Sequence, residues 1–371
     1  MKAWLTAVFA CLSMPAWGGE VPFYIGTYTS AEGSQGIYRA TLDLETGKIS
    51  APQLAVETKG PSFLALHPNG KFLYSVNSPT SEVSAFAIQD DGTLKFLNAR
   101  SAQGAGPCHV AVDHGGKNLF VANYGGGNLA SFPIEEDGSL AEPATVFVNE
   151  GSGPNERRQQ KPHLHAIYPD QSDKFVYACD LGTDEVLVFH LRPETGELKL
   201  ANPRSGKVPP GGGPRHLALH RSGKLAFANN ELTSSVTVFQ RDVDSGALKP
   251  IQTISTLPED ADVPNNSTAE IFLHPTKDWL YVSNRGHNSI ASYSFGNDGK
   301  LTLIRIDPAG VAIPRGFGID PTGRWLVVGG QETNDVTALA IDQQTGSLTA
   351  GPNRIEVGQP VCIVFMEAVT K

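Results

Sequence analysis

A turn with a central glycine, followed two residues later by Leu or Ile, recurs seven times along the chain: ETGKI at Gly47, DGTL at Gly92, DGSL at Gly138, TGEL at Gly196, SGAL at Gly246, DGKL at Gly299 and TGSL at Gly346. Successive glycines lie 45, 46, 58, 50, 53 and 47 residues apart. A second landmark, usually Gly-Pro ahead of an apolar run, falls at Pro61, Pro107, Pro162, Pro214, Thr268 (without the Pro), Pro314 and Pro360. A period of this size marks a supersecondary unit that cannot bury its apolar surface alone, so the units must stack on one another.

Between the landmarks each unit follows one script, seen in GPSFLALHPNGKFLYSVNSPTSEVSAFAIQDDGTLKFL. An apolar strand leads through a tight turn to a second strand (FLYSVN, LFVANY, FVYACD, LAFANN, WLYVSN, WLVVGG), then an alternating third strand, the glycine turn and a short fourth strand. Four antiparallel strands in about 45 residues describe one blade of a β-propeller. Residues 21–50 carry second, third and fourth strands without a first, and residues 360–368 (PVCIVFMEA) carry a first strand with nothing after it. Joined, they complete a seventh blade and leave no sheet edge open. The reading is therefore all-β, one seven-bladed propeller over residues 20–371, although 371 residues would suggest two or three domains by length. The 39 glycines and 26 prolines, too many for long helices, become the punctuation of this ring.

The first residues, MKAWLTAVFACLSMPAWGGE, hold one Lys, an apolar run from Ala3 to about Met14 and small residues at Ala16 and Gly18. They read as a signal peptide over residues 1–19, too short to span a bilayer, which predicts a periplasmic or secreted protein. Cys108, Cys179 and Cys362 remain after cleavage, far apart in strand-like runs; buried free thiols are expected, with one disulfide left open. A net charge of −9 gives no attraction to nucleic acid or an anionic membrane, and neither is expected as a partner. A monomer is expected.

Equivalent positions in the repeats test for chemistry. After the landmark come Ser62, Cys108, His163, Arg215, Ala269, Arg315 and Val361; one step on come Phe63, His109, Leu164, His216, Glu270, Gly316 and Cys362. Second strands end on Asn77, Asn123, Asp180, Asn230 and Asn284, a recurring series read as structural caps, and Ser78, Tyr124, Leu181, Glu231, Arg285 and Gln331 follow. The outliers His163, Arg215, Arg315, Glu270, Glu231 and Arg285 place polar or charged groups where sister blades are small or apolar. Hairpin geometry opens both sets onto one mouth of the central channel. Long connections at 149–161, 203–213 and 257–268 emerge on the same face, and the first adds Arg157, Arg158 and Lys161. The alternative is that these charges pair between blades and simply close the channel. His109 and His216 also fit packing roles, and His165, among apolar counterparts, reads as a core or supporting histidine.

No G-x-S-x-G, H-E-x-x-H, C-x-x-C or P-loop motif is present, and no metal site is signalled. GTYTSAEGSQGIYRATLD, KPHLHAIYPD, GGGPRHLALHRSGKLAFANNELTSSVTVF, LYVSNRGHNSIASY and PRGFGIDPTGRWLVVGGQ resemble the propeller-type 6-phosphogluconolactonase family, itself similar to eukaryotic carboxy-cis,cis-muconate cyclases. The resemblance runs over nearly all of residues 21–368. It implies a metal-independent lactonase or cycloisomerase, with no cofactor, whose His, Glu and arginines fall on His163, Glu231, Arg285 and Arg215. Arg315, His216, Glu270 and Arg157 are expected around the substrate. On this reading Glu231 or His163 is the general base, and Arg285 with Arg215 holds the oxyanion or an anionic group of a small sugar-acid lactone. An exported chain suits an unphosphorylated or carboxylated aldonolactone better than a cytosolic sugar phosphate. The competing class is a non-catalytic YVTN-type propeller that binds a protein or glycan on its top face.

Overall fold

The computed structural model describes residues 19–30 and 32–366. They form seven four-stranded antiparallel sheets arranged as the blades of a propeller. Blades 1 to 6 begin at Pro61, Pro107, Leu164, Pro214, Ser267 and Pro314. Blade 7 is built from Pro360–Phe365 on the inside, then Glu20–Thr27, Gly36–Asp43 and Gln53–Glu57. The two ends of the chain thus share a blade, as the repeat count predicts. The fourth strand of that blade starts later than expected, because only an isolated bridge, Leu42 to Ile49, precedes it. The signal peptide expected over residues 1–19 falls outside the described residues apart from Gly19. Among the described residues no helix is long and apolar enough to cross a membrane.

A propeller blade is buried on both faces near the axis, which is why second strands read as continuous apolar runs. Asn118–Asn123, Phe175–Asp180 and Leu225–Asn230 are buried along their whole length. Seven apolar clusters form, one between each pair of neighbouring blades, including one between blades 6 and 7 and one between 7 and 1. The seven first strands pack on one another around the axis.

The glycine turns have a docking role. All seven motif glycines hold φ between +72° and +84°, a region that side chains with a Cβ disfavour. In blades 7, 1, 3 and 5 a second-strand tyrosine reaches across to the next blade's turn: the hydroxyls of Tyr24, Tyr74, Tyr177 and Tyr281 donate to the carbonyls of Gly92, Gly138, Gly246 and Gly346 at 2.9–3.0 Å. At Gly246 an added Cβ would lie 2.5 Å from the Phe175 ring, whereas at Gly223 (φ +70°) the nearest atom is 3.5 Å away.

One expected loop is shorter than its spacing suggested. Pro203–Lys207 continues the outer strand of blade 3, Glu197–Lys207, by way of a bulge opposite Leu187–Phe189, so only 208–213 connects to blade 4.

These contacts set a stability test. Gly246→Ala should lower unfolding stability by about 2–4 kcal/mol, combining backbone strain with the clash on Phe175. Gly223→Ala should cost only about 1 kcal/mol, the strain alone. Urea titration of the two variants against the parent chain measures both; equal losses would remove Phe175 from the account.

Candidate active site

In all seven blades the first strand starts with a register shift against the second. The shift leaves an extra residue after the opening one: Ser62, Cys108, His165, Arg215, Ala269 with Glu270, Arg315 and Val361. A bulge of this kind re-aims a side chain that would otherwise follow the pleat. The bulge is secured from the second strand, where Asn229 Oδ1 accepts the His216 N–H at 3.0 Å and Ser283 Oγ accepts the Glu270 N–H at 2.9 Å.

The register changes one equivalence drawn from sequence. Leu164 pairs with Asp180 as Pro214 pairs with Asn230, so the counterpart of Arg215 in blade 3 is His165, two residues beyond the position taken by His163. His163 stands just outside the strand. Its ring stacks on Tyr124 at 4.4 Å, and its Nδ1 lies 2.9 Å from the Tyr124 carbonyl.

Above the bulges lies an open basin of about 400 Å³ lined by Tyr28, Ser78, Cys108, Tyr124, Arg158, His165, Glu231, Arg285 and Arg315. At its floor is the Glu231 carboxylate. This residue opens the turn after Asn230 and is held by backbone bonds to the 208–213 connection: its N–H donates to Gly213 O at 2.8 Å, and Leu232 N–H donates to Gly212 O at 3.0 Å. Arg158 Nη2 lies 2.7 Å from Glu231 Oε1, while Arg215 Nε and Arg285 Nη2 lie 3.1 and 3.2 Å from Oε2. His165 Nε2 is 4.0 Å from Oε2. Oε2 is buried and is held by its ion-pair contacts to two arginines, without an aligned hydrogen bond.

Below, a narrower chamber with room for about one water is lined by Ser62, Cys108, Arg215, His216, Glu270 and Arg315. Arg315 touches both spaces. Its guanidinium lies 5.5 Å over the Tyr28 ring, and no carboxylate pairs with it among the described residues.

The profile of the family described as Lactonase, 7-bladed beta-propeller, matches residues 22–365. The chain belongs to that family. It is 36% identical over 353 residues to the 6-phosphogluconolactonase of Bacillus subtilis, covering 93% of this chain and 98% of that one. It is 31% identical over 343 residues to a 6-phosphogluconolactonase of Formosa agariphila, covering 90% and 96%. The structure of a periplasmic gluconolactonase from Pseudomonas aeruginosa superposes with a TM-score of 0.88 at 28% identity, covering 95% of this chain and all of that one.

Within this lactonase-family site, charge is unbalanced. Burial alone would raise the Glu231 carboxyl, but Arg285, Arg215 and Arg158 overcome it and hold the group at about 2. Burial pushes Arg285 down to about 9, with Glu231 opposing the fall and Arg215 and Arg315 adding to it. Burial raises Glu270 to about 8 against the pull of Arg215. At neutral pH four arginines therefore face one carboxylate, where a mere plug between blades would match its charges. Burial, then Arg215 and His216, lower His165 well below the usual histidine value, so its imidazole is neutral.

Other expected residues lie elsewhere. Arg157 is exposed and does not line the basin. The loop that carries it is pinned by buried Gln159, whose amide donates to Leu181 O and Asp184 Oδ1, and by Asn155, whose side chain accepts the Arg157 and Arg158 N–H groups. That turn sends Arg158, the neighbour, onto Glu231. His216 and Glu270 are buried beneath Arg215 instead of facing the basin. Arg158, read from sequence only as part of a basic loop, and His165, read as a core or supporting histidine, both line the basin, as do Tyr28, Ser78, Cys108 and Tyr124, which were not expected as site residues. The internal alignment of KPHLHAIYPD by strand register, instead of by its proline, identifies His165. The five strand-end Asn and Asp residues are all buried. Those of blades 1, 2 and 5 donate to the carbonyls of Lys59, Ala102 and Thr256, and Asp180 accepts backbone N–H groups. The three cysteines are free, and burial raises the Cys108 thiol to about 12. A second cleft, about 270 Å³ on the opposite face, contains Arg241, already committed to Asp170, Tyr177 and Gly223 as a clamp between blades 3 and 4.

Glu231→Gln should lower stability by about 3–5 kcal/mol at pH 7, because it strands buried guanidiniums. Glu231 sits below its unfolded value of 4.5, so its contribution is complete above that pH and fades as pH falls toward 2. The gap between variant and parent should narrow across that window in denaturant titrations; a gap that stays constant or widens would contradict the arrangement.

Proposed function

We propose that the chain hydrolyses a sugar-acid lactone outside the cytoplasm, with the reaction centred on the pair His165 and Glu231. The observation that carries this reading is the juxtaposition of Glu231 Oε2 and His165 Nε2, 4.0 Å apart, on the lining of a basin with surplus arginines. A water that bridges the pair from the basin gives one hydrogen bond to the carboxylate and its other proton to the imidazole.

Glu231 is a poor base at about 2, since proton affinity that low leaves little driving force to abstract a proton. The neutral imidazole of His165, which burial and the surrounding arginines also hold below the usual histidine value, supplies the free lone pair, and the Glu231 carboxylate 4.0 Å away offsets those arginines as the imidazolium forms. In the forward step the water oxygen bonds to the lactone carbonyl carbon as its proton passes to His165 Nε2. The carbonyl oxygen becomes an oxyanion facing Arg285, with Arg315 at the rim. Collapse breaks the ring C–O bond, and the imidazolium returns its proton to the departing alkoxide. The product is the open hydroxy acid, released as a carboxylate with one proton lost to solvent. No covalent nucleophile is required.

Two features support an unphosphorylated or carboxylated aldonolactone as substrate: the leader-like residues 1–19, and the likeness to a periplasmic gluconolactonase. The B. subtilis relative bears the name of the phosphorylated lactone, which makes that compound the necessary comparison.

The purified protein should be assayed on gluconolactone, aldarolactones and 6-phosphogluconolactone. Hydrolysis of at least one of the first two is expected. Arg285→Ala and His165→Asn should each lower kcat/KM by about 10²-fold or more, the range for loss of an oxyanion donor or a general base. His163→Asn should cost less than about tenfold, as expected of a residue outside the reacting shell. Turnover confined to the phosphorylated lactone would overturn the substrate class. Absence of turnover on every lactone would favour a binding propeller.

A further inference from the structure

His216 and Glu270 have no direct access to the basin, yet they are tied to it by an unbroken line of polar contacts. Glu270 Oε1 lies 2.6 Å from His216 Nδ1, and His216 Nε2 lies 3.0 Å from Arg215 Nη1. Arg215 Nη1 also donates to Ala269 O, and its Nε faces Glu231 Oε2 at 3.1 Å. His216 is 1% exposed and Glu270 3%. The faces and edges of the imidazole meet the rings of Phe63, His109, His165 and Tyr168, with centroids 5.3–6.4 Å away. Only its two nitrogens have polar business.

The protons follow from these contacts. A guanidinium has donors and no acceptor, so His216 Nε2 must present a lone pair to Arg215. A neutral imidazole then carries its hydrogen on Nδ1 and donates it to Glu270 Oε1. That oxygen also accepts the Ile271 N–H at 3.1 Å, which makes it an acceptor twice over. A charged His216 would turn an N–H against the Arg215 N–H, and burial together with Arg215 and Arg315 keeps the ring neutral.

We propose that His216 and Glu270 are positioning residues for Arg215: Glu270 fixes the ring and tautomer of His216, and His216 fixes the guanidinium plane. The consequence lies at the remaining end of the fork. With Nε turned to Glu231 and Nη1 held by His216 and Ala269, Nη2 makes no hydrogen bond among the described residues and is left to the chamber under the basin. An arginine has several freely turning bonds, and this chain of contacts removes that freedom before a ligand arrives. The catalytic consequence rests on the lactonase reading above, whereas the tautomer does not.

Two measurements separate the claims. In the parent protein, nitrogen-15 shifts of labelled histidines should show His216 with its proton on Nδ1 and a bare Nε2 at pH 7. A proton on Nε2, or on both nitrogens, overturns the proposal whatever the activity. On the lactone that the parent hydrolyses, His216→Leu and Glu270→Leu should lower kcat by about 10²-fold with KM changed less than about threefold, the cost of a misplaced group near the reacting atoms. Glu270→Gln keeps an acceptor for Nδ1–H and should retain kcat within about fivefold of the parent. Melting curves on all three show whether each is folded at assay temperature. A Gln variant that is folded yet as slow as the Leu variant overturns the positioning role. If no lactone is turned over, the lactonase reading fails and the histidine shifts alone decide on the chain of contacts.

Discussion

The extra residue at the start of every first strand is the constraint on which the site depends. Seven strands converge on one axis, and a regular pleat would send alternate side chains into the inter-blade cores. The bulge breaks that alternation at one level of all seven blades, so the residues there face the axis together: Cys108, His165, Arg215, Glu270 and Arg315 among them. In Ser62 and Val361 the same backbone feature carries no charge, which shows that the fold supplies the level and the individual blades supply the chemistry. Function has been placed on a structural irregularity that the ring needs in any case.

What organises that level is the Glu231 carboxylate. Bringing three guanidiniums together at this depth is unfavourable unless a negative group lies between them. Glu231 meets that need from the turn after a second strand, so its position follows from strand pairing and from the backbone bonds to Gly212 and Gly213. The group that would serve as base by residue type is thereby too acidic for the task. A neutral imidazole beside it keeps a free lone pair, and the carboxylate offsets the arginines that oppose its protonation, a division of labour that neither residue type alone predicts.

The ring, its seven blades and its closure by both ends of the chain were legible in the sequence, because periodic glycines and apolar runs report local geometry that each blade repeats. The clustering of Arg215, Glu231, Arg285 and Arg315 at one mouth was legible for the same reason: they depart from a script the other blades keep. His165 was not, since Pro162 mimics the landmark two residues before the strand begins, and counting from a proline cannot see a hydrogen-bond register. Nor could sequence choose between Arg157 and Arg158. Adjacent residues in a loop point apart, and the choice is made by Asn155 and Gln159 through contacts to another turn. Pro203–Lys207 looked like a loop because it opens the proline- and glycine-rich run PRSGKVPPGGG, yet an outer strand at a blade edge tolerates the proline and glycine it holds.

The arginines around Glu231 differ in how firmly they are held. The Arg215 side chain is 4% exposed, with Nη1 hydrogen-bonded to His216 and Ala269 and Nε ion-paired to Glu231, whereas Arg158 is 41% exposed, comes from a connecting loop and donates from Nη2 to Tyr124 and Glu231. Solvent at the Arg158 end screens that pair in part, so parting it costs less than parting Arg215 from Glu231, which would strand both charges in a dry site. An anionic ligand entering the basin competes for the cation that is cheapest to release. Arg158 can turn toward such a group while Arg215 and Arg285 still balance the carboxylate. The site therefore combines a floor built on strands and held from beneath with a half-exposed charge at its rim, carried by one of the loops lengthened on this face.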